Sequence, residues 1–389
     1  MVNSSLSAEK SCVIITTGHF PEGDAGAVRL HMVAKALIAA GYSVSVLCRS
    51  KLKDSGVIDD IEYTSFRRMD GHKLVRALDY YLFPGRVKRY LRKNKDLSCV
   101  YIYNAHISVF NYCKKFCNKH GIRLVHDCVE WYSPEEFSKG EKSSAYKMKN
   151  KINTEIIDSS FSVIAISRFL EDYFSGKGIR TLRVPILCDP SEGIPPKADP
   201  EKLTLFYAGA PQKKDLVGNI FEATLLLTPE ERSKLRIVLI GANKSYLVYR
   251  SGVSPETLKS CSGFLELCGR VPRDVVLQKM KEADFTVLPR DASLRYAKAG
   301  FPSKIVESLV NATPIICNYS SDLELYLTDG ENAIVARDHT PEALAEAIRR
   351  ALALSVEEKL EMSKKALESA ETHFDYRKYA DKLEEFLRR

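Results

Sequence analysis

The sequence predicts an α/β protein built as two Rossmann-like, doubly wound parallel-sheet domains that face each other across a cleft. Three observations predict it. Short, nearly continuous apolar runs alternate with amphipathic stretches of helical length. Strands of that kind belong to parallel sheets covered by helices on both faces. The alternation stops at a polar, proline-rich segment, SEGIPPKADP (191–200), and then restarts. At 389 residues, 45% hydrophobic and 28% charged, the chain is too long for one ordinary core and comfortable for two.

In the first half the strand-like runs are 12–18, 43–48, 99–104, 122–127 and 162–167. Between the first two lies AVRLHMVAKALIAAG (27–41), with a helical apolar pattern that stops at Gly41, as helices often do. Segment 191–200 reads as an interdomain linker. The second half offers strands at 203–209, 236–242, 264–269, 285–289, 314–318 and 333–336, then helical stretches near 356–371 and 376–389. The expected domains are 1–190 and 201–372. Ligands of such sheets bind beyond the carboxyl ends of the strands, which places the site in the cleft.

Composition narrows the chemistry. No apolar run reaches membrane-spanning length, and MVNSSLSAEK lacks the hydrophobic core of a signal peptide, so a cytoplasmic protein is expected. The net charge of +8 allows an anionic partner without naming one. Ten cysteines include no C-x-x-C and no zinc spacing, and read as buried reduced thiols. The absence of D-x-D points away from a divalent metal and towards phosphate neutralised by lysine and a helix end. Residues 67–95 hold ten Lys or Arg and two Asp, with Tyr80, Tyr81, Leu82 and Phe83 among them. They read either as a solvated helix pair or as a patch for an anionic membrane surface. No motif supports nucleic-acid binding.

Five segments carry candidate site residues. In KAGFPSKIVESLVNATPII (298–316), Pro302 favours the start of a helix, Ser303 is a good N-cap, and Lys304 adds charge to the unpaired N–H groups there. Glu307 falls one turn later on the same face, where it could hold ribose hydroxyls. An ordinary capped helix with an exposed Glu is the plain alternative. In YAGAPQKKDLVGNIFEA (207–223), Lys213 and Lys214 occupy a strand-end loop suited to phosphate, or are simply solvated. In CGRVPRDVV (268–276), the backbone of Arg270 or Val271 would suit a nucleobase edge. In the first half, HFPEGDAGAVRL (19–30) has glycines but no G-x-G-x-x-G, and HDCVEWY (126–132) offers His126, Asp127 and Glu130. His126 is either a ligand for a substrate hydroxyl or a structural strand-end histidine.

Together these segments resemble glycosyltransferase family 4, a group of GT-B enzymes. The resemblance spans nearly the whole chain, through YAGAPQKKD (207–215), GRVPRDVVLQKMKEADFTVLP (269–289), GFPSKIVESLVNATPII (300–316) and, in the first half, LVHD (124–127) and VIAISRFLEDYF (163–174). It implies a retaining transferase that takes a sugar from a UDP- or GDP-type donor, with no cofactor and no metal. The donor would bind the second domain, and a glycan or lipid-linked acceptor the first. The last helix, about 373–389, would cross back onto the first domain. Carried over, Glu307 is the second glutamate of E-x7-E and holds the ribose. Lys214, beside Lys213, contacts the diphosphate. Gly26 lies in the glycine loop near the phosphates, and His126 lies near the transferred sugar. The pattern departs from the family at Ala299, where the first glutamate is expected, and at Ala210, where an arginine is common. Arg290, Arg295 and Lys298 are the candidates to replace that arginine. Asn311 and Ala312 stand where a glycine is frequent. A catalytically silent nucleotide-sugar-binding subunit and a sugar-nucleotide epimerase of the same fold are the competing readings.

Overall fold

The computed structural model describes residues 10–50, 55–67, 72–190, 201–211 and 214–388, with side chains except at 50, 67, 73, 74 and 76–81. Segment 191–200 and Lys213 therefore lie outside the described residues. The chain forms two compact units, Met1–Leu187 with Tyr376–Arg389, and Cys188–Asp375.

The first unit carries β1 (Lys10–Thr16), β2 (Tyr42–Ser50), β3 (Ser55–Ile58), β4 (Ile61–Arg67), β5 (Cys99–Tyr103), β6 (Arg123–Cys128), β7 (Ser162–Ala165) and β8 (Arg180–Arg183). They form one sheet in the order β3-β4-β2-β1-β5-β6-β7-β8. Every neighbouring pair is parallel except the β3–β4 hairpin. In the centre, Ile14 pairs with Val46 on one side and Tyr101 on the other, and all three are wholly buried. That two-sided burial is why these strands read as continuous apolar runs. The second unit carries β9 (Leu203–Ala208), β10 (Leu235–Ile240), β11 (Leu265–Gly269), β12 (Phe285–Leu288), β13 (Ile315–Asn318) and β14 (Ala333–Ala336). Its sheet, β11-β10-β9-β12-β13-β14, is parallel throughout.

Three strands were not expected. β3 and β8 are the two edge strands of the first sheet and β4 lies next to β3; in all three the apolar run is broken by polar residues. The basic stretch also differs from expectation. It is one helix, Lys73–Lys93, with Pro84 inside it, not a solvated pair. Phe83, Val87 and Leu91, spaced four apart, are wholly buried and anchor it.

The end of the chain completes the first core. Leu383, Phe386 and Leu387 of helix Ala380–Leu387 pack among Leu30, Val33 and Leu37 of helix Ala25–Ala39. Among the described residues all ten cysteines are unpaired; nine are buried and Cys268 is half-buried. Burial pushes the Cys317 thiol up to about 12, which keeps it protonated and inert. No described helix is long and apolar enough to cross a membrane.

Candidate functional site

The second unit builds a cationic site at the carboxyl ends of its strands. Three adjacent strands, β9, β10 and β11, each reach a glycine with left-handed backbone: Gly209 at φ 137°, Gly241 at 101° and Gly269 at 61°. They bond in series, Gly209 N–H to Ile240 O at 2.9 Å and Gly241 N–H to Gly269 O at 2.6 Å. A Cβ on Gly241 would fall 2.3 Å from Gly209 O, so only glycine lets these strand ends close on each other. A Cβ on Gly209 would fall 2.8 Å from Lys304 Cε; the bare backbone leaves room for the lysine stem.

Lys304 sits in the first turn of helix Ser303–Val310. Its Nζ lies 2.8 Å from Asp215 Oδ2 and 5.4 Å from the centre of the Tyr207 ring. Arg290, just past β12, places a terminal guanidinium nitrogen 3.1 Å from Asp215 Oδ1. The Tyr207 hydroxyl donates to Asp215 Oδ2 at 2.8 Å. Asp215 is only 2% exposed. Burial by itself would raise its pKa, but the charges of Lys304 and Arg290 and the hydrogen bonds from Lys304 and Tyr207 outweigh it and hold the carboxyl well below its usual range. Asp215 is therefore ionised, and the cluster carries two cations against one anion.

Glu307 shares the helix with Lys304, and both line a small void under β9 with Phe206, Tyr207 and Ala208. Its carboxylate meets Arg273 at 2.8 Å, so it is an ion-paired, half-buried group and not the exposed Glu of an ordinary helix. Two expectations need correction here. Ser303 is the first helical residue and makes no capping bond; Pro302, in extended backbone, holds the N-cap place. Lys304 is held by a buried carboxylate instead of standing free at the helix end. Lys214 is half-buried next to Asp215 in the chain. Arg270 is exposed, whereas Val271 packs on a cluster with Phe206, Val238 and Met280. Ala299, where a glutamate was expected, is wholly buried. Ala312 takes φ 53°, the conformation that favours glycine there.

The first unit has its own cavity, about 350 Å³, lined by Tyr103, His126, Glu130, Trp131, Lys149 and Asn153 among others. His126 lies inside β6, as the expected strand 122–127 implies, and the strand runs on to Cys128. It is 6% exposed, edge-on to Phe110 at 5.2 Å, and neither ring nitrogen makes a hydrogen bond of ordinary geometry. The Ile102 backbone and the Asn153 side chain are polar groups beside it that favour its charged form. Burial, partly offset by the Asp127 charge, lowers its pKa to about 4. It is thus a neutral imidazole, with one donor and one acceptor to offer. Asp127 is committed elsewhere, taking Arg29 Nε at 2.9 Å and a terminal nitrogen at 2.7 Å in the core. Lys149 stands 4.3 Å over the Tyr132 ring; burial lowers its pKa, against the pull of Glu130 and Glu136.

Gly26 proves to be in the first turn of helix Ala25–Ala39 and not in a loop, its N–H capped by Asp24 at 3.0 Å. A Cβ there would come 2.8 Å from the Tyr103 hydroxyl. Tyr103 thus connects Gly26 to the His126 cavity. The residues that sequence reasoning missed are Asp215 and Tyr207. Asp215 followed the Lys pair in plain view, but its partners lie 75 and 89 residues away.

Residues 192–369 match the family model described as glycosyl transferases group 1. No curated protein matches the sequence. Solved structures match along almost the whole chain. Sucrose-phosphate synthase from Thermosynechococcus elongatus aligns with a TM-score of 0.73 at 15% identity, over 96% of this chain and 97% of that one. HepE of Anabaena, solved in complex with UDP and glucose, aligns at 0.69 and 14%, over 97% and 99%. The fold is GT-B. WaaG, a glycosyltransferase involved in lipopolysaccharide biosynthesis, shares the GT-B fold at 0.68 and 16%, over 97% and 99%.

Proposed function

We propose that this protein is a retaining, metal-independent glycosyltransferase of family 4. It moves a sugar from a UDP- or GDP-type donor to a glycan or lipid-linked acceptor in surface polysaccharide assembly. The observation that carries the reading is the surplus cation built around Asp215 at the carboxyl ends of β9 and β12, inside the segment that matches group 1 glycosyl transferases. The complexes of HepE with UDP and with UDP-glucose are in keeping with a nucleotide-sugar donor.

The chemistry follows from charge. The bond between the sugar and the diphosphate breaks, and negative charge grows on the leaving oxygens. Lys304, the Lys213–Lys214 pair and the first N–H groups of helix Ser303–Val310 stabilise that charge. Glu307 holds the ribose, and the Arg270–Val271 backbone takes the base. The sugar becomes oxocarbenium-like, and the acceptor hydroxyl attacks from the face the diphosphate leaves, passing its proton to the departing oxygen. His126, neutral and buried, hydrogen-bonds a sugar hydroxyl.

A Lys214→Ala/Lys304→Ala double variant tests the mechanism and should lose most turnover; near-normal turnover removes it. Glu307→Ala should raise the donor KM, and an unchanged KM counts against the ribose role. Activity should persist in EDTA. The buried Ala299 favours one second reading, a silent subunit, which donor binding without turnover across an acceptor panel would establish. In helix Lys73–Lys93 and just beyond it, Arg89, Arg92, Lys93 and Lys95 are exposed, as is Leu82 at 45%, which suits an anionic bilayer at the cytoplasmic face. Anionic liposomes should retain the protein at low salt, and equal recovery on neutral ones discredits this.

A further inference from the structure

We propose that Arg290 is the second diphosphate-binding cation of the donor site, and that Asp215 is the positioning residue that seats it beside Lys304. The proposal rests on the reading of the second unit as the donor site and names the contact that position 210, an alanine, does not supply. Hydrogen-bond counting carries it. Asp215 accepts three bonds, one from Arg290 on Oδ1 and two from Lys304 and Tyr207 on Oδ2. Arg290 gives Asp215 a single donor, and its Nε is buried with no partner among the described residues. Lys304 likewise gives its carboxylate bond and keeps the rest of its ammonium donors. An ion pair serving the fold alone would match charge with charge and use its donors. This one keeps a buried guanidinium, 7% exposed, with bonds still to make.

The Arg290 backbone is fixed as well. Asn318, at the end of β13, brackets the Arg290 backbone, accepting from its N–H at 2.9 Å and donating to its carbonyl at 2.8 Å. Gly209 makes the space that brings the Lys304 stem to the same carboxylate. Two cations close together repel, and the buried carboxylate allows both to be charged and in place before a ligand arrives. An arginine fork then matches two phosphate oxygens, and the lysine adds a point charge. The ligand class is a nucleoside diphosphate, and its second phosphate is the group recognised.

The experiment is calorimetric titration of the full-length protein with UDP, GDP and ADP, and with the matching monophosphates. Arg290→Gln leaves Asp215 paired with Lys304, so a folded variant is expected. It should bind the preferred diphosphate at least about tenfold more weakly, while monophosphate affinity changes less than about threefold. Arg290→Lys keeps the charge and loses the fork, and should fall between. A folded Arg290→Gln with the wild-type ratio of diphosphate to monophosphate affinity overturns the proposal. So does equal weakening of both nucleotides, which marks a structural role. If Arg290→Gln does not fold, the Arg290→Lys ratio decides in the same way. Lys304→Ala is measured in parallel. If it weakens diphosphate binding and the Arg290 variants do not, the donor site stands and only this inference falls. If the wild type binds no nucleoside diphosphate, both fall.

Discussion

His126 should make the first unit sensitive to acid, and replacing it should remove that sensitivity. In the folded protein burial holds the imidazole neutral down to a pKa of about 4, against an ordinary value of 6.5. Between those values the unfolded chain binds a proton that the folded chain refuses. Stability is therefore fully present above pH 6.5 and is lost as the pH falls towards 4. At 1.36 kcal/mol for each pH unit, the loss is about 3 kcal/mol by the time both states are protonated. His126→Leu deletes the titrating group and keeps an apolar filling beside Phe110. The assay is urea denaturation at several pH values, followed by the fluorescence of Trp131. This single tryptophan lines the same cavity and so reports on the first unit. Comparing wild type with variant cancels every other titration. The gap between their stabilities should move by about 3 kcal/mol in the variant's favour from pH 7.5 to pH 4. Parallel stability profiles would refute the claim that His126 is buried and neutral.

Arg29→Met leaves the buried Asp127 carboxyl without its two Arg29 bonds, and should cost about 3–5 kcal/mol in the same fluorescence assay. Arg29→Met combined with Asp127→Leu should recover most of it. Gly241→Ala must adopt left-handed backbone and push Gly209 away; the backbone alone costs about 1–2 kcal/mol, so calorimetric melting of the second unit should fall and nucleotide binding with it. Removing residues 376–389 uncovers Leu30, Val33 and Leu37, so the Trp131 transition should weaken or vanish although the cut lies far away in sequence.

Periodicity made the sheets legible. All eleven apolar runs became strands, because a strand covered on both faces must be apolar at every position. β3 and β8 escaped for the converse reason: at a sheet edge half the positions may be polar, and the pattern fades; β4, beside β3, has Glu62, Thr64 and Ser65 breaking its apolar run. The stretch 67–95 misled because its many charges suggested solvation, while every fourth residue from Phe83 to Leu91 was apolar and buried. At the site, Lys304 and Glu307 were visible because a helix start and a one-turn spacing are local facts.

What the sequence by itself determined was the alternation, the presence of two α/β units, and the residue types available at each strand end. Those depend on the chemistry of near neighbours along the chain. Only the tertiary structure decided which charges are spent. Asp215 looked like one more polar residue after two lysines, yet it draws in Arg290 and Lys304 from 75 and 89 residues away. The physical reason is that burial and pairing are set by strand order, and strand order is a property of the folded sheet: β12 enters beside β9 instead of beside β11, and so brings Arg290 to Asp215.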